Sequence, residues 1–376
     1  MSTILHIGKF YPPMRGGMEQ VVESLCHVNG NGVVSRALVV NAGRRTITET
    51  IDGVQVTRVG TIATAGSVPI APGFAAELGG SRADAIVLHE PNPWALLSFT
   101  IARPRAPLAI WFHSEVVRPR LQYALFYHPI ARSAYREARR IVVSSPALAE
   151  HAEALQPYRD RIVVIPFGID ASRWEPTPEI RERAAAIRGR FGDRPLVLFA
   201  GRMVPYKGVD VLLRALVDTP AAAVLVGRGP SLNRWQALAA SLQLDSRVTF
   251  AGEVPHVELA ALYHACDMFV LPSVTRAEAF GYVQLEAMAC GKPVISTRVP
   301  SGVPWVNRDG ETGLIVPPGD VHALRAAIAT LAGDPDRRTR MGAAGRSRVE
   351  SEFSIARMRA SVAALYHDLL QGEAVG

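Results

Sequence analysis

Two glutamates, Glu278 and Glu286, are the residues whose chemistry this sequence most needs to explain. They are separated by seven residues, and Glu286 lies in an almost wholly apolar stretch. An isolated charge in such a stretch is unfavourable to bury, so it requires a partner or a function. A helix that starts near Gly281 would run to about Cys290, because Gly291 and Pro293 are residue types that terminate helices. Glu278 then belongs to the preceding loop, and Glu286 lies about 7 Å along the helix from Gly281, at about 1.5 Å per residue.

This spacing argues against a tight acid–base pair of the two glutamates. We interpret them instead as two separate ligand contacts on either side of an anion. The free N–H groups near residues 280–283 would receive phosphate oxygens, which the helix dipole favours. Two simpler interpretations remain open: Glu286 as a buried glutamate paired with an arginine, and Glu278 as a solvated loop residue.

Arg202 and Lys207 form a second candidate group. Arg202 directly follows a predicted strand, and Lys207 begins a predicted helix over 207–216. Two cations at a helix N-terminus repel each other and oppose the dipole unless an anion lies between them. A diphosphate fits, because arginine binds two oxygens at once and lysine acts as a point charge. Solvent-exposed surface charge is the alternative.

The first half of the chain offers two further candidate sites. Gly16 and Gly17 precede a predicted helix, where a glycine pair lets the backbone approach an anion closely. A plain turn is an equally good interpretation of that loop. His113 lies at the end of a predicted strand, where a histidine is a candidate catalytic or sugar-contacting group. A lone histidine is more often structural.

The elements that must position these residues alternate between strands and helices, which predicts stacked βαβ units with parallel sheets. A hairpin at Asp52-Gly53 interrupts the alternation. At 376 residues the chain exceeds the usual size of one core, and the linker-like segment 167–195 divides it. We expect domains at 1–170 and 171–354, with a final helix in 355–376 that packs on the first domain. The predicted strands are 4–8, 37–41, 85–89, 108–113, 141–145 and 162–166 in the first half, and 196–200, 223–227, 248–251, 268–272, 294–297 and 314–317 in the second.

Composition limits the function classes. The hydrophobic content of 48% and charged content of 20% are typical of a soluble globular protein. No apolar run approaches the ~18 residues of a membrane helix. The N-terminal residues read as a strand and not as a signal peptide. The three cysteines have no metal-binding spacing and indicate a reducing compartment. The expected location is therefore the cytoplasm.

The net charge of the chain is +7, and the basic excess of the first half lies in one segment. Residues 115–140 contain six arginines, two glutamates and several aromatic side chains. Such a segment can lie on an anionic membrane surface, and we expect peripheral contact with the inner membrane as one interpretation. A core-packed helix pair with a solvated arginine face is the other. No recognised nucleic-acid-binding module accompanies the charge, so no nucleic-acid partner is expected.

Taken together, these loops resemble the retaining glycosyltransferases of family 4, which have the GT-B fold. The resemblance covers nearly the whole chain and is strongest over 198–320, with Gly-Arg-Met-Val-Pro-Tyr-Lys-Gly at 201–208, the glutamate pair, and Asp-Gly-Glu-Thr-Gly-Leu-Ile-Val-Pro-Pro-Gly-Asp at 309–320. It implies two Rossmann-like, doubly wound α/β domains that face a cleft, with a C-terminal helix that crosses back to the first domain.

The resemblance also implies roles for the candidate residues. Arg202 and Lys207 would hold the donor diphosphate, and Glu286 would accept the ribose hydroxyls. Glu278 and His113 would contact the transferred sugar as the catalytic residues. The remaining donor-binding residues would be Gly16 and Gly17 over the phosphates, Val254 near the base, and Ala279, Phe280, Gly281 and Tyr282 between the glutamates. No metal or cofactor is expected, and Asp334-Pro-Asp336, which has the letters of a metal-binding DxD, is interpreted as a helix N-terminus.

The runs 113–118 and 273–278 look most similar to mannosyl- and rhamnosyltransferases of bacterial O-antigen or exopolysaccharide assembly. This implies a nucleotide-sugar donor, GDP-mannose, a glycan or polyprenyl-diphosphate-linked acceptor, and transfer with retention. A UDP-sugar or GDP-rhamnose donor is the alternative. Two other classes stay open: a nucleotide-sugar 2-epimerase of the same fold, and a non-catalytic, membrane-associated sugar-nucleotide binder.

Overall fold

The computed structural model describes residues 1–14, 16–28, 32–65, 68–115 and 127–371. The chain forms two compact units, one of Met1–Phe167 with Arg357–Gly376 and one of Gly168–Ala356. Each unit is built on a largely or wholly parallel sheet with helices between its strands. The predicted α/β class with parallel sheets is confirmed.

The first unit contains an eight-stranded sheet of order β10-β9-β8-β7-β1-β2-β4-β3 and a separate two-stranded hairpin of β5 and β6. Only β3 runs antiparallel to its neighbour in the large sheet, through the predicted hairpin at Asp52-Gly53. The β5–β6 hairpin was not predicted, because strands of three residues are too short to carry a period-2 pattern. The strands are β1 (Ser2–Ile7), β2 (Val33–Val40), β3 (Ile47–Ile51), β4 (Val54–Val59), β5 (Ala63–Ala65), β6 (Val68–Ile70), β7 (Ala85–Glu90), β8 (Leu108–Phe112), β9 (Arg140–Val143) and β10 (Ile162–Val164).

The helices of the first unit cover the sheet and bury its apolar strands on both faces, as a parallel sheet requires. Its main core contains Ile7, Leu88 and Ile110 from three adjacent strands. The α-helices are α1 (Gly17–Cys26), α2 (Phe74–Gly79), α3 (Pro93–Ala102), α4 (His128–Glu137) and α5 (Pro146–His151), and a 3₁₀ segment spans Glu153–Arg161.

The second unit contains a six-stranded parallel sheet of order β13-β12-β11-β14-β15-β16. Its strands are β11 (Leu196–Ala200), β12 (Ala222–Val226), β13 (Val248–Gly252), β14 (Met268–Leu271), β15 (Val294–Thr297) and β16 (Gly313–Val316). Its α-helices are α6 (Pro178–Phe191), α7 (Val209–Leu216), α8 (Leu232–Ser241), α9 (His256–Ala265), α10 (Val283–Ala289), α11 (Val303–Val306), α12 (Val321–Gly333) and α13 (Pro335–Glu352), with 3₁₀ segments at Ala171–Trp174 and Pro205–Lys207.

The last helix, α14 (Ile355–Leu370), begins in the second unit and continues into the first. Tyr366 of this helix donates a hydrogen bond to the carbonyl of Leu25. Asp368 forms ion pairs with Arg139 and Arg140 at the start of β9. The final helix therefore contributes polar contacts, as well as buried side chains, to a unit whose other elements end two hundred residues earlier.

In each sheet the order of the strands reverses once. In the first sheet β1 lies between β2 and β7, and in the second β11 lies between β12 and β14. Loops that leave two such neighbouring strands diverge to opposite faces, and the space between them is where doubly wound sheets bind ligands. The loops after β1, β7, β11 and β14 are therefore the places to look for a site.

Candidate active site

The reversal point of the second sheet brings Lys207 and Glu278 together. Lys207 lies in the loop after β11 and Glu278 in the loop after β14, and Lys207 Nζ is 2.6 Å from Glu278 Oε2. Each side chain is only 10% exposed. Ser273 Oγ donates a hydrogen bond to the same oxygen at 3.0 Å. The other oxygen, Oε1, has no hydrogen bond to any residue that the structure describes.

Gly208 brings these two loops into contact. Its φ of +67° lies in the left-handed region, and a Cβ there would be 2.0 Å from the carbonyl oxygen of Pro272. The turn that holds Lys207 therefore packs directly on the backbone after β14. The predicted helix over 207–216 is wrong at its start, because Pro205–Lys207 forms a 3₁₀ turn and the α-helix begins at Val209. Gly208 is the reason for this break, since a left-handed residue interrupts a right-handed helix.

Arg202 differs from Lys207 in its surroundings. It is exposed, and its guanidinium has no ion pair or hydrogen bond with any described residue. The expectation that the charge of Lys207 requires an external anion is wrong, because Glu278 already compensates it. The alternative of Glu278 as a solvated loop residue is also wrong. Of these two cations, Arg202 is the one without a counter-charge among the described residues.

Glu286 lies in the first turn of α10, where its Oε2 accepts a hydrogen bond from Tyr263 at 2.8 Å. The residue is half-buried, so protein atoms replace much of the water around its carboxyl group. Desolvation therefore raises the pKa of Glu286 to about 7, against the opposing effects of the Tyr263 hydroxyl, Lys207 and Arg173. The alternative interpretation of Glu286 as a glutamate paired with an arginine is wrong, since its hydrogen-bond partner is the hydroxyl of Tyr263.

The segment between the glutamates is more ordered by local contacts than the sequence indicates. The helix begins at Val283 and not at Gly281, whose φ of +73° is left-handed. The amides of Gln284 and Leu285 donate to the carbonyls of Gly281 and Tyr282, so they are occupied. The predicted row of free N–H groups therefore cannot extend past Val283.

The other residues of this segment are held in different ways. Ala279 accepts a hydrogen bond from the amide of Gly302 at 2.7 Å. Phe280 is buried against Trp305 and Phe353. The hydroxyl of Tyr282 donates to the carbonyl of Gly168 at 3.2 Å. These contacts hold the segment between the two glutamates against other parts of the second unit.

Two further predictions concern loops of the second unit. Val254 lies half-buried in the short connection between β13 and α9, at the same carboxyl edge of the sheet. Asp334 is the N-cap of α13, and its side chain accepts from the amide of Arg337 at 2.8 Å. The interpretation of Asp334-Pro-Asp336 as a helix N-terminus is confirmed.

In the first unit, Gly16 is the N-cap of α1 and Gly17 its first residue. A Cβ at Gly16 would meet the carboxylate of Glu19 at 2.2 Å, whereas one at Gly17 would meet nothing within 4 Å. The start of this helix thus already has an acidic side chain close to it. Arg15 lies outside the described residues.

His113 follows β8 and is not a lone histidine. Its Nε2 is 2.9 Å from Nδ1 of His89, and its ring stacks on Phe167. Burial lowers the pKa of His113 to about 3, so the ring is neutral at physiological pH. Its other ring nitrogen, Nδ1, has no hydrogen bond within the part of the chain that the structure describes.

Glu90, at the end of β7, is a buried acid that the sequence reasoning missed. Its Oε1 accepts hydrogen bonds from the hydroxyls of Tyr127 and Tyr135. Burial raises the pKa of Glu90 to about 7. Both tyrosines belong to the basic, aromatic segment 115–140, which was predicted as one possible membrane-binding surface. Both are buried, so they cannot contribute to such a surface.

The structure describes only part of the basic segment 115–140. Residues 116–126 lie outside the described residues, while Arg132 and Arg136 are exposed on α4. The visible part therefore favours a packed helix with a solvated arginine face. Among the described helices, none has both the length and the hydropathy that a membrane span needs.

Tyr263 and Ser273 are site residues for which the sequence contained no local signal. Both are buried and both donate their hydroxyl to one oxygen of a glutamate. The consequence is the same at Glu278 and Glu286. One carboxylate oxygen is fixed by the protein, and the second has no hydrogen bond to a described residue. A carboxylate held in this way can accept a hydrogen bond from a ligand hydroxyl without losing its orientation.

Comparison with known proteins identifies the family to which this chain belongs. Residues 180–348 match the family described as glycosyl transferases group 1, and residues 16–168 match the glycosyl transferase 4-like domain. The chain is 32% identical over 357 residues to the D-rhamnosyltransferase WbpZ of Pseudomonas aeruginosa, covering 93% of this chain and 92% of that protein. It is 28% identical over 374 residues to the O-antigen chain mannosyltransferase C of Escherichia coli, covering 98% and 99%.

A third relative matches only part of the chain. A GDP-mannose-dependent α-(1-6)-phosphatidylinositol monomannoside mannosyltransferase of Mycolicibacterium smegmatis is 37% identical over 233 residues, covering 58% of this chain and 60% of that protein. Among solved structures, a sucrose-phosphate synthase of Thermosynechococcus elongatus has a TM-score of 0.82 at 23% identity, covering 99% and 100%.

The family matches and the fold together define a glycosyltransferase with the GT-B fold of two Rossmann-like domains. This chain belongs to the group 1 glycosyltransferases.

The buried ion pair yields a prediction about stability. Lys207→Met leaves Glu278 buried without its cation, and we expect a loss of about 3 kcal/mol in the free energy of unfolding. Glu278→Gln should destabilise for the converse reason. The double variant should lose at least ~1 kcal/mol less than the sum of the single losses, because the two residues interact directly. Chemical denaturation of the four proteins measures this coupling.

The exposed pair of Arg346 and Glu350, with a separation of 3.1 Å, is a matched control in the same unit. We expect a coupling there below about 0.5 kcal/mol, because solvent screens exposed charges. Equal coupling in the two pairs would contradict the assignment of Lys207 and Glu278 as a desolvated pair.

Proposed function

We propose that this glycosyltransferase moves mannose from GDP-mannose onto a glycan or lipid-linked oligosaccharide during assembly of a cell-surface polysaccharide. The observation that carries the proposal is the arrangement at the reversal point of the second sheet. There the loops after two adjacent strands carry an exposed arginine and a buried lysine–glutamate pair, and a second glutamate lies in the first turn of the following helix. The choice of mannose is supported by the mannosyltransferase relatives from Escherichia coli and Mycolicibacterium smegmatis.

The residues present fit a nucleotide sugar with one task for each group. Arg202 is exposed and has no partner among the described residues, so it can bind diphosphate oxygens without breaking another contact. Lys207 adds positive charge from the same loop. As the bond to the sugar breaks, negative charge grows on the diphosphate, and fixed cations stabilise that charge most where water is excluded.

The two glutamates would hold the two ends of the donor. Glu278 would accept a hydroxyl of the transferred sugar with Oε1, while its Oε2 stays on Lys207 and Ser273. Glu286 would accept the ribose hydroxyls, with Tyr263 holding the other side of the carboxyl. Val254 would lie near the base, and residues 279–282 would line the path between the glutamates. In this arrangement the donor need not break the ion pair.

In the first unit, His113 would contact a hydroxyl of the transferred sugar, and Gly16 and Gly17 would contact the phosphates. The same unit would bind the acceptor. The sugar would transfer with retention of its anomeric configuration, without a metal ion. We place the protein in the cytoplasm, and we propose contact with the inner membrane only through exposed arginines such as Arg132 and Arg136 of α4.

A second donor is favoured by one specific observation. The relative from Pseudomonas aeruginosa, which is 32% identical over nearly the whole chain, is a D-rhamnosyltransferase. A GDP-rhamnose donor therefore stands beside GDP-mannose as a candidate, ahead of UDP-sugars.

Turnover assays test the proposed reaction. The protein is incubated with GDP-mannose, GDP-D-rhamnose or UDP-glucose, with and without a lipid-linked glycan, and release of the nucleoside diphosphate is followed. We expect release that requires both a GDP-sugar and the glycan and that persists in EDTA. Conversion of the donor into an epimer without acceptor would favour the epimerase alternative. Tight binding with no turnover on any acceptor would favour a non-catalytic binder.

Arg202 provides a test of the diphosphate site that stability does not confound. Arg202→Ala should weaken binding of the nucleotide sugar about tenfold, because a charge-assisted hydrogen bond contributes about 1.5 kcal/mol or more. The melting temperature should not change, since the side chain has no partner among the described residues. Arg190→Ala, at an exposed position on α6, is the control. Calorimetry that finds equal affinities for both variants would remove Arg202 from the site.

Glu286 should make donor binding depend on pH. With a pKa raised to about 7, the carboxyl is mostly protonated at pH 6 and mostly ionised at pH 8. The ionised form accepts ribose hydroxyls with its free oxygen, so a donor that binds this form lowers the pKa and gains affinity as the pH rises. We expect affinity to increase several-fold between pH 6 and 8. Glu286→Gln should bind more weakly at pH 8 and lose the slope, and a retained slope would show that another group titrates.

A further inference from the structure

Three histidines of the first unit form a continuous hydrogen-bonded row. His6 lies in β1, His89 in β7 and His113 directly after β8, and these three strands are neighbours in the sheet. Nδ1 of His6 is 3.1 Å from Nε2 of His89, and Nδ1 of His89 is 2.9 Å from Nε2 of His113. His6 and His89 are fully buried, and His113 is 8% exposed. The row therefore runs from the interior to the carboxyl edge of the sheet.

The register of the strands explains why the row rises toward that edge. His6 is paired with Val87 on the neighbouring strand, and His89 is paired with Trp111. Each following histidine is thus one strand across and two residues further along. A step of two residues keeps every side chain on the same face of the sheet, so three rings can meet edge to edge along a diagonal.

The inner end of the row is fixed by the last helix. The hydroxyl of Tyr366 is 2.8 Å from Nε2 of His6 and 3.2 Å from the carbonyl oxygen of Leu25. A carbonyl can only accept a hydrogen bond. If the hydroxyl proton pointed to His6, two oxygens without a proton between them would face each other at 3.2 Å. The arrangement that satisfies both contacts has Tyr366 donating to Leu25 and accepting from His6.

This direction passes through the whole row. A neutral imidazole has one N–H and one acceptor nitrogen, and burial lowers the pKa of His6 and His113 to about 3 and that of His89 well below its ordinary value. When His6 donates from Nε2, its Nδ1 must accept from Nε2 of His89. His89 must then accept from Nε2 of His113, which leaves Nδ1 of His113 as an acceptor.

We propose that Tyr366, His6 and His89 are positioning residues that hold His113 as the Nε2–H tautomer, so that its Nδ1 accepts a hydrogen bond from a substrate hydroxyl. The inference rests on the proposed function, which sets His113 beside the transferred sugar. An acceptor nitrogen recognises a sugar hydroxyl and disfavours a phosphate oxygen, which has no proton to offer. The tautomer thereby contributes to the correct placement of sugar and diphosphate.

The outer ring is also held in place by its neighbours. Phe167 stacks on His113 with ring centroids 5.9 Å apart, and Trp111 lies at 6.3 Å. Nδ1 of His113 has no hydrogen bond within the described residues. The atom is also not fully enclosed by protein atoms. It is therefore free to meet a ligand.

Nuclear magnetic resonance of the native protein, labelled with ¹⁵N only in histidine, tests the tautomers directly. Long-range ¹H–¹⁵N correlations separate protonated from unprotonated ring nitrogens, and single His→Gln variants assign the signals of the ten histidines. We expect a protonated Nε2 and an unprotonated Nδ1 in His6, His89 and His113. A protonated Nδ1 on His113 would overturn the proposal. This measurement needs neither substrate nor a variant that remains active.

Tyr366→Phe then tests the inner end of the row. It removes only the oxygen that accepts from His6, and we expect the ¹⁵N signals of His113 to move toward a mixture of tautomers. We expect kcat/KM for transfer to fall up to about tenfold, the size of one lost hydrogen bond, with unchanged affinity for GDP alone. Tyr158→Phe, which removes a hydroxyl bonded to the carbonyl of Arg132 at 3.5 Å, should leave both readouts as in the native protein. Unchanged His113 signals in Tyr366→Phe would show that Tyr366 does not set the tautomer of His113, which would contradict the proposal.

The two failures can be told apart. If no donor and acceptor support transfer, the proposed function fails, while the tautomers of the native protein remain measurable. If transfer proceeds and Nδ1 of His113 is protonated, the proposed function stands and the proposed tautomer of His113 is wrong.

Discussion

The ion pair of Lys207 and Glu278 is the interaction on which the second unit's site depends. A parallel sheet covered on both faces has no room for charge along its strands, so charged side chains collect at the carboxyl ends. There they still lose most of their contact with water, and each must be compensated. Lys207 and Glu278 compensate each other at 2.6 Å across the loops of two neighbouring strands. The left-handed turn at Gly208 is what lets those loops meet.

Glu286 shows the same constraint met in a different way. Its nearest partner is the neutral hydroxyl of Tyr263 and not a cation, so its charge is only partly compensated. The result is a pKa near 7 in a group that also remains open to a ligand on one side. Two carboxylates in one short segment thus have different partners, a lysine at Glu278 and a tyrosine hydroxyl at Glu286. A ligand that contacts both meets one charge that is balanced beforehand and one that it must help to stabilise.

Much of the fold could be predicted from the sequence. Strands buried on both faces have short runs of apolar residues, and helices have an amphipathic pattern with a period of 3.6 residues. The loops at the strand ends followed from that, and with them Arg202, Lys207, Glu278 and Glu286 as candidates. The start of α10 was misplaced by two residues, since Gly281 adopts a left-handed conformation just before the helix.

The partners of the candidate residues could not be predicted in the same way. Tyr263 and Ser273 reach the glutamates through tertiary packing, and nothing in their local sequence distinguishes them from core residues. The sequence gives only a weak indication of the histidine row, because each of the three mainly apolar strands has one histidine at or near its end. Only the strand order, which places β1, β7 and β8 side by side, turns that signal into contacts.

The return of the last helix to the first unit has a consequence for the order in which the protein can fold. Leu365, Tyr366 and Leu369 are buried side chains of a unit that otherwise ends at Phe167. During synthesis the second unit can close its core first, since all of its strands have left the ribosome before this helix is complete. The first unit must wait, with the place of the helix exposed, until residue 369 has emerged. The chain thus delays completion of one half until the other has been made.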